Sequence, residues 1–327
     1  MPTLPTWTWD IPEYFNIGVA CTDAHLGTAV EGRVAVICDD DQRGDRATTF
    51  GELARSSSRF GQLLRDLGTD AGERVLIRLP NCLEYATVFL GAMKRGAVPL
   101  PTSMLLTAEE VLFLAGDSGA RAMVTDHATW NALHAALEQL DHLTHVLLVG
   151  DGTAAPSRRL QVIDLAPALA VLAGWEPPQR TRADDPAYLV YTSGTTGYPK
   201  GTLHAHRALL GHLPAARYWF DFHPDGDRVL HSGKYNWTYV LGTGLMDPLY
   251  RGTTTIVHEG TTGATTWPRL IAKHGATIFI GVPTLYRQIL QKTACGQRDV
   301  PTLRHCMSAG EPLSGEVLAA WRSRFAA

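Results

Sequence analysis

The chain alternates short apolar, β-branched runs with amphipathic helical segments, and this alternation restricts its fold more than any other feature. Strand patterns at residues 74–79, 97–101, 122–125 and 145–149 are separated by helical segments, of which residues 84–95 are the clearest. Thr49, three residues before Glu52, predicts the capped start of an earlier helix that carries Phe60 and Leu64 at helical spacing. Strands that alternate with helices of this length are joined by right-handed crossovers in a mainly parallel sheet. The sequence therefore predicts an α/β fold.

A second series of the same kind follows a Pro-rich segment. Residues 176–186 hold three prolines and several charges, as a linker would. Strand and helix patterns then alternate again, at residues 187–191, 206–220, 228–231, 254–258, 267–274, 277–281 and 284–291. We predict a first α/β part over residues 1–175, which begins with a Trp- and Pro-rich arm, and a second over residues 176–327.

Composition argues against several classes of protein. The net charge of the 327 residues is −3, which predicts no surface for nucleic acid or an anionic membrane. No apolar run approaches the roughly 18–20 residues of a membrane span, and the first residues lack the pattern of a signal peptide. The five cysteines form no CxxC pair, which favours idle thiols in a reducing compartment over a metal site. We predict a cytoplasmic protein without protein metal ligands; its oligomeric state stays open, with a homodimer as one alternative.

The segment TSGTTGYPKG, residues 192–201, carries the most informative chemistry. The apolar strand AYLVY leads directly into it, and it holds three glycines, four hydroxyl side chains of Ser and Thr, and one lysine. Glycines let backbone N–H groups converge on an anion, hydroxyls add hydrogen-bond donors, and Lys200 adds a mobile positive charge. Its spacing differs from the G-x-x-x-x-G-K-[ST] nucleotide loop. A phosphate-binding loop is one interpretation, and a flexible connection between strand and helix is the other.

This segment resembles the phosphate-binding loop of the acyl- and aryl-CoA synthetases, a family that includes luciferases and the adenylation domains of peptide synthetases. Residues 73–111 are similar to the first helix–strand block of that family, and residues 303–325 to its acyl-adenylate segment. The resemblance implies stacked, mainly parallel sheets with helices on both faces, as in the large N-terminal domain of an adenylate-forming enzyme. It also implies ATP, Mg²⁺ and coenzyme A as cofactors and a small carboxylic acid as substrate.

The resemblance assigns a nucleotide site to two segments. The loop would wrap the β- and γ-phosphates of Mg·ATP, with Lys200 and Thr195 as catalytic residues, while the substrate carboxylate attacks the α-phosphate. SAGEP, residues 308–312, would line the adenine and the acyl-phosphate, although alone it indicates only a turn before a helix. The implied nucleotide-binding residues are Thr192, Ser193, Gly194, Thr195, Thr196, Gly197, Lys200, Ala309, Gly310, Glu311 and Pro312.

The acid pocket is implied by residues 231–244. In medium-chain synthetases a D-x-G-W element is usual; Trp237 is retained here, whereas Lys234 and Asn236 replace the Asp and Gly. The stretch is also similar to the K-x-F-F-A-Y-G-L-G-N element of benzoate-type ligases, where aromatic residues wall a ring-shaped pocket. Trp237, Thr238 and Tyr239 occupy the matching places, and such rings suit an apolar acid of limited size. The alternative is three ordinary core residues.

Two further segments are less informative. Gly281 and Pro283 resemble the strand end that closes the pocket floor in the family, but a buried strand stopped by proline before an ordinary helix explains them nearly as well. His204 and His206 form an H-x-H pair without an Asp, Glu or Cys partner nearby in sequence. We expect solvated histidines at a helix start rather than a metal site.

The predicted function is ATP-dependent activation of an aromatic or short- to medium-chain acid to acyl-AMP and then acyl-CoA. The alternatives are an enzyme that passes the acyl group to a carrier protein or to oxygen, and a binding module without turnover. The family continues with an aromatic–Gly–x–Thr–Glu turn, a ribose-binding Asp, a hinge and a small C-terminal domain with the adenylation lysine, none of which residues 313–327 contain. We expect the chain alone to show little thioester synthesis.

Overall fold

The computed structural model describes residues 7–172, 175, 177–192, 199–223 and 226–327. In these residues the strands are β1 (Val34–Asp40), β2 (Arg46–Thr49), β3 (Arg74–Arg78), β4 (Val98–Pro101), β5 (Ala122–Asp126), β6 (His145–Val149), β7 (Gln161–Asp164), β8 (Pro186–Thr192), β9 (Lys200–Ala205), β10 (Arg228–His231), β11 (Thr254–Glu259), β12 (Ile278–Gly281) and β13 (His305–Ser308).

The α-helices are α1 (Ile17–Ala20), α2 (Phe50–Asp66), α3 (Leu83–Lys94), α4 (Ala108–Ser118), α5 (His127–Leu137), α6 (Leu165–Ala170), α7 (Ala208–Gly211), α8 (Leu213–Tyr218), α9 (Thr238–Leu241), α10 (Asp247–Tyr250), α11 (Thr266–His274), α12 (Pro283–Lys292) and α13 (Gly315–Arg324). A 3₁₀ turn covers Asp23–His25, and one π-helical segment, Gly242–Met246, joins α9 to α10. Across the described helices, none is long and apolar enough to cross a membrane.

Two parallel sheets confirm the predicted α/β fold. One has the strand order β4-β3-β5-β6-β7 and is parallel throughout. The other has the order β13-β12-β10-β11-β1-β2 and is parallel except for the antiparallel pair β1–β2. A separate antiparallel hairpin consists of β8 and β9. Because β1 and β2 complete the sheet of β10–β13, the two predicted parts share a sheet, and the division at residue 175 stays a prediction.

Helices α2 and α3 connect the cores of the two sheets. Residues of α3 are buried on nearly every side, and one apolar cluster joins α2 and α3 to Val36 of β1, Val75 of β3 and Val257 of β11. The helices approach closely at Gly91, where a Cβ atom would lie 2.5 Å from the Ser57 carbonyl oxygen. Only glycine fits at such a contact. The two sheets are therefore fixed to a common helical layer.

The predicted start of α2 is confirmed. Thr49 accepts a hydrogen bond from the N–H of Glu52, and the Glu52 carboxylate accepts one from the N–H of Thr49. This reciprocal pair satisfies two N–H groups that the first helical turn would otherwise leave without partners. Burial of Phe60 and Leu64 on the same helix follows the apolar spacing of the sequence.

The prediction of solvated histidines at a helix start, for His204 and His206, was wrong. The chain returns from the phosphate-loop segment as strand β9, paired antiparallel with β8, and only then forms the short helices α7 and α8. His204 lies on that strand, stacked on Tyr188 with 4.4 Å between ring centroids. His206 is fully buried: its Nδ1 accepts a hydrogen bond from Ile17 N–H, and burial lowers its pKa to about 4. Neither histidine is a solvated residue at a helix start.

Candidate functional site

A cavity of about 750 Å³ lies at the carboxyl ends of parallel strands from both sheets. The six-stranded sheet contributes His231 at the end of β10, Glu259 at the end of β11 and Gly281 at the end of β12. The five-stranded sheet contributes Leu79 after β3 and Ser103 after β4. The carboxyl edge of a parallel sheet is where α/β proteins usually bind ligands, so this cavity is the candidate site.

The predicted acid-pocket residues divide into two groups. Trp237, Tyr239 and Gly281 line the cavity, whereas Thr238 and Pro283 are not among its lining residues. The Trp237 side chain is 61% exposed, which places it where the cavity opens to solvent. Tyr239 is half-buried, and Gly281 is buried against the Phe279 ring, where a Cβ atom would lie 3.1 Å from Cζ. A side chain at residue 281 would therefore crowd this ring.

The acyl-adenylate segment follows β13 and reaches the same cavity. Ala309 and Gly310 line it. Gly310 has φ of +92°, a backbone conformation that residues with a Cβ atom rarely adopt. Glu311 and Pro312 are exposed, and the Glu311 carboxylate accepts a hydrogen bond of 2.7 Å from the Thr284 hydroxyl near the start of α12. The structure thus brings two of the four predicted residues of this segment to the cavity that Trp237, Tyr239 and Gly281 also line.

Only the two ends of the predicted phosphate loop are described. Thr192 and Lys200 are paired across the antiparallel hairpin of β8 and β9, and Lys200 is exposed. The intervening predicted residues Ser193, Gly194, Thr195, Thr196 and Gly197 lie outside the described residues. The loop therefore connects two antiparallel strands instead of a strand and a helix.

Asn81, which the sequence analysis did not single out, joins the two sheets beside the cavity. The residue is buried, and its Nδ2 donates hydrogen bonds to the carbonyls of Gly233 (3.1 Å) and His258 (3.2 Å). Its Oδ1 accepts from Tyr235 N–H at 3.0 Å, and its own N–H donates to the Glu259 carboxylate at 2.9 Å. The sequence alone does not indicate this role of Asn81, because its hydrogen-bond partners are 152 to 178 residues away along the chain.

An ion pair forms another part of the cavity wall. Lys234 Nζ lies 2.5 Å from the Glu259 Oε2 atom, and both residues line the cavity. Lys234 was noted in the sequence only as a departure from the D-x-G-W element. Because the two charges neutralise each other, this wall presents little net charge to a ligand.

His231 is the most buried titratable side chain of the wall. It is 5% exposed, its Nδ1 accepts a 2.9 Å hydrogen bond from Gly233 N–H, and burial lowers its pKa to about 3. Its ring packs edge-on against Tyr239, with centroids 5.6 Å apart. A Cβ atom at Gly244, within the π-helical segment, would lie 3.1 Å from the His231 Cδ2 atom. Glycine at residue 244 therefore makes room for the imidazole.

A loop from the other sheet closes the cavity on its far side. Ser103, Met104 and Leu105 line it, between β4 and α4. The buried Arg78 guanidinium donates hydrogen bonds to the carbonyls of Ser103, Met104 (3.1 Å) and Leu106 (3.0 Å). A planar five-donor group is suited to hold several carbonyls at once, so Arg78 fixes the shape of this wall.

Two sets of described side chains are close enough to share a cation: Asp39, Asp41 and His258, and Asp39, Asp45 and His274. Lys273 Nζ already lies 2.6 Å from Asp39 and 2.7 Å from Asp45. A metal ion would have to compete with this lysine, so the contacts form an ion-pair network between β1 and α11 rather than a site suited to Mg²⁺.

The comparisons with known proteins identify the family. Residues 26–327 match the family model described as AMP-binding enzyme. The chain is 32% identical over 312 residues to a 4-hydroxybenzoate–CoA/benzoate–CoA ligase of Rhodopseudomonas palustris, with 95% of this chain and 56% of that protein covered. It is 33% identical over 317 residues to a benzoate–CoA ligase of Thauera aromatica, with 96% and 58% covered.

Solved structures agree with this similarity. An anthranilate CoA ligase crystallised in complex with anthranoyl-AMP superimposes with a TM-score of 0.84 at 25% identity, with 97% of this chain and 59% of that chain covered. A benzoate CoA ligase from Burkholderia xenovorans LB400 superimposes with a TM-score of 0.81 at 28% identity, with 95% and 59% covered. The chain thus spans 56% to 59% of the length of these four relatives. It belongs to the AMP-binding enzyme family.

Proposed function

We propose that the protein is an AMP-forming acid–CoA ligase, and that residues of this chain contribute to its acid site and to its nucleotide site. One observation carries the proposal: the predicted acyl-adenylate residues Ala309 and Gly310 line the same cavity as the predicted acid-pocket residues Trp237, Tyr239 and Gly281. An acyl-adenylate joins an acid to a nucleotide through one phosphate, so its two recognition segments must meet at one cavity.

The first step needs positioning more than acid–base chemistry. A carboxylate oxygen forms a bond to the α-phosphorus of ATP, the bond from that phosphorus to the bridging oxygen breaks, and pyrophosphate leaves with that oxygen. The carboxylate is already ionised near neutral pH, so the protein contributes orientation and neutralisation of phosphate charge. Mg²⁺ enters with the substrate as Mg·ATP. Lys200 and the hydroxyls of residues 192–196 are the proposed phosphate contacts.

The second step transfers the acyl group to a thiol. The thiol of CoA releases its proton to water, its sulfur attacks the carbonyl carbon of the acyl-adenylate, the bond from that carbon to the phosphate oxygen breaks, and AMP leaves with that oxygen. We propose CoA as the acceptor because relatives that share about a third of the aligned residues are CoA ligases by name.

The acid we propose is aromatic or of short to medium length. A volume of about 750 Å³ lies within the usual range for a small-molecule site. Aromatic and aliphatic side chains such as Trp237, Tyr239, Val240 and Leu285 form much of its wall. The charges of the Lys234–Glu259 ion pair in that wall neutralise each other, so the cavity suits an acid with one carboxylate attached to an apolar body.

Binding and turnover test the proposal separately. The first measurement is calorimetric titration of the purified chain with benzoyl sulfamoyl adenosine, a stable analogue of benzoyl-AMP. The second is acid-dependent exchange of labelled pyrophosphate into ATP, followed by loss of the CoA thiol. Exchange without thiol loss would support adenylation of the acid without supporting CoA as the acceptor. Absence of both binding and exchange for benzoate, hexanoate and their adenylate analogues would contradict the proposal.

A further inference from the structure

A single π-helical turn lies beside the cavity in the part of the chain that the structure describes. It covers Gly242–Met246, directly after α9, and the N–H of Asp247 closes it by donating to the Gly242 carbonyl five residues earlier. Two residues of the cavity wall, Tyr239 and Val240, belong to α9. Turns of this kind are rare and occur frequently at functional sites. The contacts that hold this turn therefore bear on the shape of the cavity.

A buried aspartate and a half-buried histidine meet over the turn. His212 Nδ1 lies 3.0 Å from Asp247 Oδ1, and the Asp247 side chain is only 3% exposed. A Cβ atom at Gly242 would lie 3.2 Å from His212 Cε1 and 3.8 Å from Asp247 Oδ2, so both side chains pack on the residue that begins the turn. Among the described residues, His212 is the only hydrogen-bond partner of the Asp247 carboxylate. The pair thus links the start of the turn to the residue that closes it.

Two contacts connect the turn to side chains that line the cavity. The Thr243 hydroxyl donates a 2.7 Å hydrogen bond to the Tyr239 carbonyl. Gly244 packs against His231, since a Cβ atom at residue 244 would lie 3.1 Å from the His231 Cβ atom. Both Tyr239 and His231 line the cavity. Because packed side chains have little free space around them, a displacement of the turn would shift this part of the wall.

The protonation of His212 sets the strength of the pair. The hydrogen bond to Asp247 raises the pKa of His212 above its ordinary value of 6.5. A histidine whose pKa is raised by a partner stabilises the fold fully below the ordinary pKa and loses this contribution as the pH rises through the raised pKa. Above that pH a neutral imidazole leaves the Asp247 carboxylate buried without an opposite charge. The turn is therefore held most firmly near pH 6.5 and less firmly at alkaline pH.

Five other titratable side chains face the pair or the turn. Burial lowers the pKa of the two histidines among them and raises the pKa of the two tyrosines and the cysteine. These five groups thus stay mainly uncharged between pH 6.5 and 9, and His212 is the member of the cluster whose charge changes in this range. The five are His204, His231, Tyr188, Tyr239 and Cys21.

We propose that His212 and Asp247 are positioning residues for the acid site, and that the affinity for the acid follows the protonation of His212. Neither residue lines the cavity, so both act through the turn and the wall residues packed on it. With the pair charged, the wall keeps the shape that fits the ligand; with His212 neutral, the turn is held less firmly and the ligand binds more weakly. This inference rests on the proposed function, because it takes the cavity to be the acid site.

The test is calorimetric titration of the chain with benzoyl sulfamoyl adenosine at several pH values from 6.5 to 9. For wild type we expect the dissociation constant to rise about 5-fold over this range, because a neutral hydrogen bond replaces a charge-assisted one. His212→Gln keeps a donor for Asp247 but no charge, so its dissociation constant should stay near the wild-type value at pH 9 throughout. Asp247→Asn, which removes the opposite charge, should also give a value that does not change with pH.

His223→Gln is the matched control. His223 also lies near an aspartate, with 3.4 Å between its Nε2 and Asp221 Oδ2, but these side chains are 60% and 63% exposed, so the variant should keep the wild-type pH dependence. If the compound binds at no pH, the proposed function fails and this inference fails with it. A wild-type dissociation constant that is the same at every pH overturns the inference alone, whether or not the variants fold. An unchanged pH dependence in folded His212→Gln, or in Asp247→Asn if His212→Gln does not fold, would overturn it as well.

Discussion

The proposed acid end and the proposed nucleotide end of the candidate site are built in opposite ways. At the acid end, His231 and Asn81 are buried, and Asn81 alone makes four hydrogen bonds that tie two sheets together. At the nucleotide end, Glu311 and Lys200 are exposed, and Glu311 has one hydrogen bond, to Thr284, among the described contacts. His231 and Asn81 thus belong to the protein core, whereas Glu311 and Lys200 lie on its surface.

This difference predicts how each end contributes to function. A wall held by buried hydrogen bonds is preorganised, so it discriminates among acids by shape and by the polar atoms it presents. An exposed segment adds little to folding stability, and its side chains act mainly through what they offer a ligand. Substitutions of buried residues at the acid end should therefore alter stability and acid selectivity together. Substitutions at the nucleotide end should alter nucleotide interaction alone.

Asn81→Ala should have the largest effect. It removes the side-chain hydrogen bonds to Gly233, His258 and Tyr235, and leaves buried backbone groups without partners. We expect the free energy of unfolding to fall by about 2–4 kcal/mol, measured by urea denaturation, together with weaker binding of the acid. Asn131→Ala is the control, because Asn131 also makes side-chain hydrogen bonds but at an exposed position. An equal fall in the free energy of unfolding in the two variants would contradict the expectation that buried hydrogen bonds stabilise the fold more than exposed ones.

Lys200→Ala tests the nucleotide end. Lys200 is exposed at the start of β9, so its removal should leave stability unchanged. Loss of a charge-assisted contact to phosphate should reduce pyrophosphate exchange by roughly 10- to 100-fold, equivalent to about 1.5–3 kcal/mol. Thr195→Ala should act in the same direction. Lys292→Ala, at the exposed end of α12, is the control; exchange at the wild-type rate in both loop variants would refute the phosphate-loop assignment.

Trp237→Ala tests the opening of the acid cavity. Its ring lines the cavity and is 61% exposed, so truncation should enlarge the opening without a large loss of stability. We expect the ratio of kcat/KM for hexanoate to that for benzoate to rise on the order of 5-fold. Trp219→Ala removes another half-exposed tryptophan and should leave this ratio unchanged. Equal kcat/KM for benzoate, hexanoate and palmitate in wild type would show that the cavity does not select by size.

Local sequence signals predicted the elements whose structure depends on near neighbours. The apolar strand at residues 145–149 occurs as predicted, since its pattern alone indicates a buried parallel strand. The Thr49–Glu52 capping pair also forms, because its two members are three residues apart. The segments that line the cavity at residues 237–239 and 309–310 were located from the resemblance to a family, not from periodicity, and their roles as site residues stay predictions.

Long-range contacts account for what sequence analysis missed. His206 is buried because it accepts a hydrogen bond from Ile17, 189 residues away. Strand β9 escaped notice because the glycine-rich stretch before it suggested a flexible connection that leads from a strand into a helix. Its only strand partner among the described residues is β8. Strand β7 is short and partly exposed at the edge of its sheet, so it lacks the apolar pattern of a buried strand. The cytoplasmic location stays a prediction, and a homodimer stays one alternative for the oligomeric state.

Glu311→Ala should have the smallest effect. It tests whether the exposed carboxylate contacts the nucleotide or only holds residues 308–312 in place. Its hydrogen bond to Thr284 is exposed, so its loss should change the free energy of unfolding by less than about 1 kcal/mol. Thr284→Val is the matched control: it removes the same hydrogen bond and keeps the carboxylate. If Glu311 contacts the nucleotide, Glu311→Ala should raise the KM for ATP about 2- to 3-fold while Thr284→Val does not. Equal increases in both variants would mean that Glu311 acts by anchoring the segment to α12.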